Sequence, residues 1–376
     1  MNVMPYIVRE VSTTDLDALW ELAGYASTGM TSLKVDREEL ADRIERAHFA
    51  FRRTSEKAEG APYVFVIEDT STRRLIGTSC IFSKTGGFEP FYAYRVVSQT
   101  QHSELLGQTR EIRSLHLLKI HNGPTELGGL FLLPDCRRGG VGKLLSLSRF
   151  LYMAGHLKRF AKETIAELRG YLDENEQSPF WNAIGSHFFP IDYPRADALS
   201  MIDKQFIEDL MPQYPIYLEL LPQEAIDVIG QVHQQAKPAY QLLIQQGFVQ
   251  RDLIDIFDGG AVLHCDTHRI EAIRSSKTAS IAGIQSLPMN APALCSGLVS
   301  VENPRFHCTT GRWLHQEATR HAEHQETGVA IAESVVLDQA TADLLNVAVG
   351  DSIRLLHLEH DPNRGLATKP PSEFAA

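Results

Sequence analysis

Three glycines and three basic residues share one short segment in the middle of the chain. It reads Arg137-Arg138-Gly139-Gly140-Val141-Gly142-Lys143 and lies between a predicted strand and a predicted helix. Glycines let the backbone turn tightly and point several N–H groups inward, and the following helix adds the positive end of its dipole. The three cations add charge of the same sign. This combination predicts a binding site for a phosphate or pyrophosphate group.

The spacing of these glycines excludes two common nucleotide loops. It does not fit GxxxxGK[ST], and it is not a GxGxxG turn after the first strand of a βαβ unit. A tight turn without a ligand is the alternative that the pattern alone leaves open. A second signal favours a ligand: Gly128-Gly129 interrupts the preceding predicted strand, and glycines inside a strand often mark a bulge or the close approach of a ligand.

The elements before this segment predict an α+β fold. They follow the order strand, helix, helix, strand, strand, strand, which favours a mixed, mostly antiparallel sheet flanked by helices. The predicted strands cover residues 6–9, 63–68, 75–82, about 91–97 and 114–119. The predicted helices run to residue 23 from an N-cap at Thr13 or Thr14, and onward from Asp36.

The elements after the segment divide into two parts. An amphipathic helix over about 144–157, a strand over 164–170 and a helix from Phe180 lead into a mainly helical stretch over about 205–248. From about residue 259 onward, short apolar runs between turn residues predict a small all-β unit. We therefore predict one large domain over residues 1–260, a small β-barrel over 261–361 and a disordered tail over 362–376.

Composition limits the class of protein. The chain has 376 residues, 43% hydrophobic and 22% charged, as expected for an ordinary globular protein of two or three domains. Its net charge of −11 disfavours nucleic acid as a partner. Five dispersed cysteines without a CxxC pair predict reduced thiols. No secretory signal and no membrane-spanning apolar run is evident, so we predict a cytoplasmic protein without a membrane partner.

The glycine-rich segment resembles the acyl-CoA pyrophosphate loop of the GCN5-related N-acyltransferases, through Arg137-x-x-Gly140-x-Gly142. More narrowly, the chain resembles the arginine N-succinyltransferase family in collinear blocks, which include Val-Ile-Gly-Gln-Val-His at 228–233. The other blocks are residues 31–33, 63–66, 94–95, 126–127, 130–132, 144–146, 148–150, 167–170, 178–181, 208–216 and 255–260. Past about residue 275 the resemblance thins, and residues 315–327 look like an insertion.

The resemblance implies a specific reaction. It implies an N-acyltransferase fold, succinyl-CoA as co-substrate with no tightly bound cofactor, and L-arginine as the acceptor that becomes N2-succinylarginine. It also implies that Leu130 lies at the acyl-CoA site and that His233 is the proton donor. The family includes enzymes with two related chains, so a homo- or hetero-oligomer is expected. The pyrophosphate would be held by the cofactor-binding residues Arg137, Arg138, Gly140, Gly142 and Lys143.

Those substrates carry charges that the protein must match. Carboxylates call for arginine or lysine, and a guanidinium or ammonium calls for aspartate or glutamate. Arg95, Arg169 and Ser32 are the candidates for binding carboxylates, while Glu126 and Glu167 are the candidates for binding the guanidinium or the amine. For each of them a structural salt bridge is an equal alternative. Glu126 is also predicted to be catalytic, together with His233. His233 suits acid catalysis because imidazole titrates near neutral pH, but water-mediated proton transfer stays open.

Two other functions share the same loop. One is acyl transfer to ornithine or another amino acid, because the loop binds CoA and not the acyl group. The other is a non-catalytic partner subunit of an active homologue. Three histidine groups, at 264–268, 315–324 and 357–360, lack a complete set of ligands at zinc-site spacing, so no metal site is predicted.

Overall fold

The computed structural model of the chain describes residues 4–25, 36–87, 89–316 and 333–358. Ser32 and the predicted tail over 362–376 lie outside these ranges.

Fifteen strands form the described part of the fold. They are β1 (Tyr6–Glu10), β2 (Pro62–Asp69), β3 (Arg74–Phe82), β4 (Phe91–Ser103), β5 (Gln108–Ile120), β6 (Thr125–Leu132), β7 (Glu163–Glu167), β8 (Ile216–Tyr217), β9 (Val249–Ile254), β10 (Ala261–Asp266), β11 (Lys277–Gln285), β12 (Cys295–Val301), β13 (His307–His315), β14 (Glu333–Asp338) and β15 (Ser352–His357).

Eleven α-helices of the described residues connect these strands. They are α1 (Leu16–Gly24), α2 (Arg37–Arg52), α3 (Val141–Gly155), α4 (Pro179–Ala183), α5 (Gly185–Phe188), α6 (Tyr193–Ser200), α7 (Gln205–Leu210), α8 (Gln223–Asp227), α9 (Lys237–Gln245), α10 (Glu271–Ser275) and α11 (Gln339–Leu345).

The strands pair in two connected groups. The first has the order β1-β2-β3-β6-β7-β10-β9-β4-β5-β8, and within it β6 and β7 pair in parallel while the other ladders are antiparallel. The second is a closed barrel of five strands in the order β12-β15-β11-β14-β13, and the β12–β13 pairing closes it. β1 joins the groups by pairing with β13.

Local sequence accounts for where several helices begin. The side chain of Asp36 accepts a hydrogen bond from the N–H of Glu39 at 2.8 Å and caps α2 as predicted. Ser178 caps α4 in the same way, through the N–H of Trp181 at 3.1 Å. The first helical segment differs from the prediction. Ser12, and not Thr13 or Thr14, caps a short 3₁₀ turn that leads into α1.

The helix predicted over about 144–157 is present as α3, but it is buried on nearly every side and is therefore not amphipathic. Leu145, Leu147 and Phe150 are fully buried, because α3 packs between the large sheet, α10 and strands of the barrel. A helix that is apolar all round belongs in a core. Each of these large side chains contributes about 1.5–3 kcal/mol through burial. α3 is therefore held rigidly, and so is the glycine-rich loop at its start.

Two features of the strands differ from the sequence-based picture. The hairpin of β4 and β5 continues in register from the pair Phe91 and Ile120 to the pair Ser103 and Gln108, well past the apolar residues that predicted it. β10 pairs with β7 and β9 of the large sheet, so residues 261–266 do not belong to the barrel, whose first strand begins at Lys277. The five cysteines are free thiols, and Cys80, Cys265 and Cys308 are buried.

Candidate functional site

A cavity of about 1330 Å³ opens between β6 and β7. Residues of β6, the loop after it, α3, the segment after β7, α9 and the segment after β9 line it. The cavity contains most of the residues predicted to bind substrate. Those that line it are Glu126, Leu130, Arg137, Arg138, Gly140, Gly142, Lys143, Arg169 and His233, together with Glu167.

The cavity exists because β6 and β7 separate. They pair only at Thr125 with Thr164 and at Glu126 with Ile165, so the rest of β6 has no partner on that side within the described sheet. On its other side β6 pairs with β3 and contains a bulge. Thr78 lies opposite Phe131 and Cys80 opposite Gly128, so Gly129 and Leu130 together face the single residue between them.

The backbone of Gly129 explains the bulge. Its φ of 57° lies in the left-handed region, which residues with a side chain seldom adopt. A bulge leaves one residue out of the ladder. The glycine-interrupted strand therefore contains the predicted bulge, and both Gly129 and Leu130 line the cavity.

The glycine-rich loop follows β6 directly. A short 3₁₀ turn over Pro134–Cys136 leads to Gly139 and Gly140, whose φ angles are 62° and 89°. Gly140 is the N-cap of α3, and a Cβ atom there would meet no atom within 4 Å. Gly142 and Lys143 lie in the first turn of α3, where helical N–H groups have no acceptor in the helix itself. Open space, positive φ and the N-terminal end of a helix together have a geometry that suits an anion.

The basic residues of the loop surround this site. The guanidinium Nε of Arg137 donates to the carbonyl of Leu132 at 3.0 Å, and its Cζ atom lies 6.0 Å from the centre of the Phe131 ring. Arg137 is thereby held against the end of β6. Arg138 is exposed at the cavity mouth, and Lys143 is half-buried. The cations give a positive rim to an otherwise acidic protein.

His233 lies on the cavity wall between α8 and α9. Its backbone N–H donates to the carbonyl of Arg169 at 2.8 Å, and its Nδ1 accepts from the N–H of Gln235 at 3.2 Å. A neutral imidazole that accepts at Nδ1 carries its proton on Nε2. Burial lowers the pKa of His233, and the Arg169 guanidinium lowers it further. The ring is therefore mainly neutral at neutral pH.

A cluster of carboxyl groups lies at the foot of the two separating strands. Glu126 pairs with Ile165, so Glu167, two residues along β7, points to the same face. Burial raises the pKa of Glu126. Burial, then the charges of Glu126 and Asp255, raise the pKa of Glu167 well above its usual range. The Oε1 atom of Glu167 is buried and has no hydrogen-bond partner among the described residues.

Asp255 extends this cluster, and burial together with the charge of Asp258 raises its pKa well above the usual range. Its Oδ1 accepts from the N–H groups of Phe257 and Asp258 at 2.7 and 2.8 Å. Lys204 also lines the cavity and lowers the pKa of Glu126 and Glu167 by its charge. A cationic ligand suits such a group of buried carboxyls, because its charge would favour the ionised form that burial disfavours.

Asp258 has a structural role beside the cluster. Its Oδ2 accepts from the N–H of Gly170 at 2.6 Å and from the hydroxyl of Tyr193 at 3.0 Å, while Oδ1 accepts from the N–H of Gly260 at 2.8 Å. Gly170 has no room for a side chain, since an added Cβ would lie 2.6 Å from Asp258. Asp258 thus fixes the backbone just after Arg169.

Two residues predicted to bind carboxylates differ in their position relative to the cavity. Arg169 lines the cavity with a side chain only 8% exposed, and its Nη2 binds Glu176 at 2.8 Å while its Nε is buried without a partner among the described residues. Arg95 does not line the cavity. It lies on β4, half exposed, and its Nε pairs with Asp252 of β9 at 3.0 Å. Its role in binding a substrate carboxylate stays a prediction. Ser32 lies outside the described residues.

Sequence reasoning missed Asp255, Lys204 and Arg149, which all line the cavity. Asp255 and Arg149 lie inside sequence blocks that resemble the family. The sequence therefore singled out these segments, but it gave no sign that the two side chains line the site. The described residues contain no group of three or more His, Cys, Asp or Glu side chains that could hold a metal ion. Nor do they include a helix long and apolar enough to cross a membrane.

Comparisons with known proteins point to one family. The family model "Arginine N-succinyltransferase beta subunit" matches residues 6–272. Arginine N-succinyltransferases of Enterobacter sp. (strain 638) and Escherichia fergusonii are 38% and 39% identical over 353 residues, covering 94% of this chain and 97% of each relative. The solved arginine/ornithine succinyltransferase subunit AI of Pseudomonas aeruginosa is 31% identical, with a TM-score of 0.80 over 95% of this chain and 99% of that one. The chain belongs to the arginine N-succinyltransferase family.

Proposed function

We propose that this chain transfers the succinyl group of succinyl-CoA to the α-amine of L-arginine and releases N2-succinylarginine and CoA. The observation that carries this proposal is one cavity lined by a phosphate-type loop, by a bulged strand that is mostly unpaired on the side facing β7, and by a buried carboxyl cluster. The first two suit an acyl-CoA, and the third suits a cationic amino acid. Membership of the family supports the same reaction.

We further propose that the large sheet is a GCN5-related N-acyltransferase fold. The support is the order of its parts: β6 with a bulge at Gly129, the loop over 137–143, α3, and β7 in parallel with the start of β6. The boundary with the barrel is better drawn between β10 and β11 than after residue 260, because β10 completes the large sheet. The proposed location is the cytoplasm.

Succinyl-CoA is the proposed co-substrate, with no tightly bound cofactor. Its pyrophosphate would bind the N–H groups of Gly140, Gly142 and Lys143, with charge from Arg137 and Arg138. The pantetheine arm would then run along the open side of β6. There the unpaired backbone groups near Leu130 offer hydrogen bonds to the amide groups of the arm and to the thioester carbonyl.

The chemistry requires one bond exchange. The lone pair of the neutral α-amine attacks the thioester carbon, a C–N bond forms and the C–S bond breaks. The amine loses one proton and the CoA thiolate gains one, so the overall reaction neither consumes nor releases a proton. We propose Glu126 as the group that receives the amine proton, because burial raises its pKa towards the pH at which the enzyme operates.

His233 is proposed as the donor to the departing sulfur. With Nδ1 occupied by the N–H of Gln235, its Nε2–H is the group that can donate. A thiolate is a weak base, so a hydrogen bond from a neutral imidazole stabilises it without complete transfer. Water then completes the return of the proton to the thiolate. This role is compatible with the lowered pKa of His233.

Recognition of arginine is proposed to rest on the carboxyl cluster. Glu167 and Asp255 would bind the cationic groups of the amino acid, and Arg169 its carboxylate. Binding a cation there stabilises the ionised carboxylates that burial otherwise disfavours. The same cluster would accept ornithine, which the name of the Pseudomonas aeruginosa relative includes, so ornithine is the second candidate acceptor.

An assay of the purified chain tests the proposal. Release of free CoA thiol is measured with succinyl-CoA or acetyl-CoA against arginine, ornithine and lysine, and the product is identified by mass. Turnover is expected with succinyl-CoA and arginine. No turnover by the chain alone, with activity restored by a second related chain, would favour the partner-subunit alternative. No turnover in either case would refute the proposed reaction. Gel filtration of the chain, alone and with a related chain, tests the homo- or hetero-oligomer that we also expect.

A further inference from the structure

Arg149 is a buried arginine without a carboxylate partner. It lies on α3, two turns beyond the glycine-rich loop, lines the cavity, and is only 2% exposed. Its Nε donates to the carbonyl of Ser146 at 3.2 Å, and its Nη2 donates to the Ser146 hydroxyl at 2.9 Å. Across the described ranges, no Asp or Glu oxygen lies within 4 Å of its guanidinium, and Nη1 makes no hydrogen bond.

Such an arrangement is costly unless an anion completes it. A buried guanidinium without a counter-charge loses hydration that the protein does not replace. Burial lowers the pKa of Arg149 to about 10, so the side chain stays charged at neutral pH. The neighbouring Cys80 does not neutralise it, because burial raises the pKa of that thiol to about 12.

Two other cavity arginines, both on α2, already have carboxylate partners. Arg43 lies 3.6 Å from Glu39, and Arg46 binds Asp42 at 2.8 Å and Glu39 at 3.1 Å. Their charges are therefore compensated within the protein. Arg149 differs from both because no carboxylate of the described residues pairs with it, although all three line the same cavity. This contrast indicates that Arg149 is the arginine suited to bind an anionic ligand.

The position of Arg149 indicates which anion. Burial raises the pKa of the nearby Cys80 thiol, and the charge of Arg149 opposes that rise. Cys80 pairs with Gly128, next to the bulge at Gly129 and Leu130. The phosphates of CoA have their own site at the loop, and the acceptor amino acid has the carboxyl cluster and Arg169. What remains near the bulge is the acyl group itself. In succinyl-CoA, a carboxylate lies two methylene groups beyond the thioester carbonyl.

We propose that Arg149 binds the terminal carboxylate of the succinyl group and so selects a dicarboxylic acyl-CoA over a monocarboxylic one. This assignment rests on the proposed function and names the determinant of its acyl specificity. The guanidinium offers N–H groups in a planar fork that suits a carboxylate, and Ser146 holds that fork in place. The helix that carries the phosphate loop thus also carries the acyl-binding group.

The test compares two acyl donors with three variants. Succinyl-CoA and butyryl-CoA differ in the terminal carboxylate, and thiol release with arginine gives kcat/KM for each. Arg149→Met is expected to lower kcat/KM for succinyl-CoA by about 10- to 150-fold, the range for a lost hydrogen bond to a charged group. The value for butyryl-CoA should stay the same or rise. Arg46→Met removes a paired cavity arginine and should leave the ratio between donors unchanged.

A structural role for Arg149 makes different predictions. If the role were structural, Arg149→Met would lower kcat/KM equally for both acyl donors and would lower the melting temperature. An unchanged ratio of the two kcat/KM values would therefore overturn the assignment. Removal of an unpaired buried charge should instead leave the ligand-free melting temperature equal or higher. If Arg149→Met does not fold, Arg149→Lys keeps the charge without the fork and should give an intermediate ratio; a wild-type ratio would refute the proposal. If the wild-type chain does not succinylate arginine, the proposed function fails first.

Discussion

The backbone N–H of His233 donates a hydrogen bond to the carbonyl oxygen of Arg169 at 2.8 Å. This bond joins the segment after β7 to the segment between α8 and α9. The Arg169 side chain is in turn held by Glu176, and its charge lowers the pKa of His233. The imidazole and the guanidinium therefore occupy fixed positions relative to each other on one wall of the cavity.

His233→Asn and His233→Ala together separate the two roles of this residue. Asparagine still accepts from the N–H of Gln235 but has no imidazole Nε2–H, whereas alanine loses both functions. We expect both variants to lower kcat by about 100-fold or more. KM for succinyl-CoA should change little. Steady-state kinetics with thiol detection measure both quantities.

The melting temperature supplies the control for the His233 variants. The side chain of His233 caps the short 3₁₀ turn over Gln234–Ala236 by accepting from the N–H of Gln235. Only His233→Ala should lose this cap, at a cost of about 0.5–2 kcal/mol. A wild-type kcat for His233→Asn would remove the imidazole from the reaction.

The glycine-rich loop was predicted from local sequence because its geometry is local. Positive φ at Gly139 and Gly140, followed at once by a helix, needs no distant contact to be recognised. The bulge at Gly129 was predictable for the same reason. By contrast, the polar half of the β4–β5 hairpin forms through continued backbone pairing and lacks the apolar alternation that marks a strand.

Residues that depend on distant packing were harder to place. Arg95 and Arg169 have the same chemistry in the sequence, but only the strand pairing shows that Arg95 meets Asp252 outside the cavity. Asp255 joins Glu167 because β9, β10 and β7 lie side by side. Arg149 appeared to be one residue of an amphipathic helix, and only the burial of α3 makes its unpaired charge significant.

Gly140→Ala should weaken CoA binding. Its φ of 89° disfavours any residue with a Cβ, by about 1–2 kcal/mol, so the loop is expected to rearrange and misplace its N–H groups. We expect about a tenfold rise in the Kd for CoA, measured by calorimetry. Gly142→Ala is the comparison, since its Cβ would meet only Leu132 at an ordinary 3.9 Å. A loss as large for Gly142→Ala would show that strain is not the cause.

Asp258→Asn should disturb the site without touching substrate. Asparagine has a single acceptor oxygen, so the N–H of Gly170 or of Gly260 would face an amide NH₂. An unsatisfied buried donor costs about 1–3 kcal/mol. Because Gly170 follows Arg169, KM for arginine should rise more than KM for succinyl-CoA. Tyr193→Phe removes one bond to the same carboxylate and should have a smaller effect on both stability and KM.

Glu167→Gln should stabilise the ligand-free protein at neutral pH. Burial, then the charges of Glu126 and Asp255, raise the pKa of Glu167 well above 4.5, so the folded protein favours its protonated form. The stability that Glu167 contributes is therefore complete below about pH 4.5 and is lost as the pH rises through the raised pKa. The variant carries no such penalty, and its advantage in melting temperature over the wild type should grow from about pH 5 to about pH 8.

Glu174→Gln, at an exposed carboxylate shortly after β7, is the control and should show no such growth. Arginine should reverse the order, because its cationic groups stabilise the ionised cluster of the wild type and find less charge in the variant. A constant difference across the pH range, or equal stabilisation of both proteins by arginine, would contradict a cation site built on Glu167.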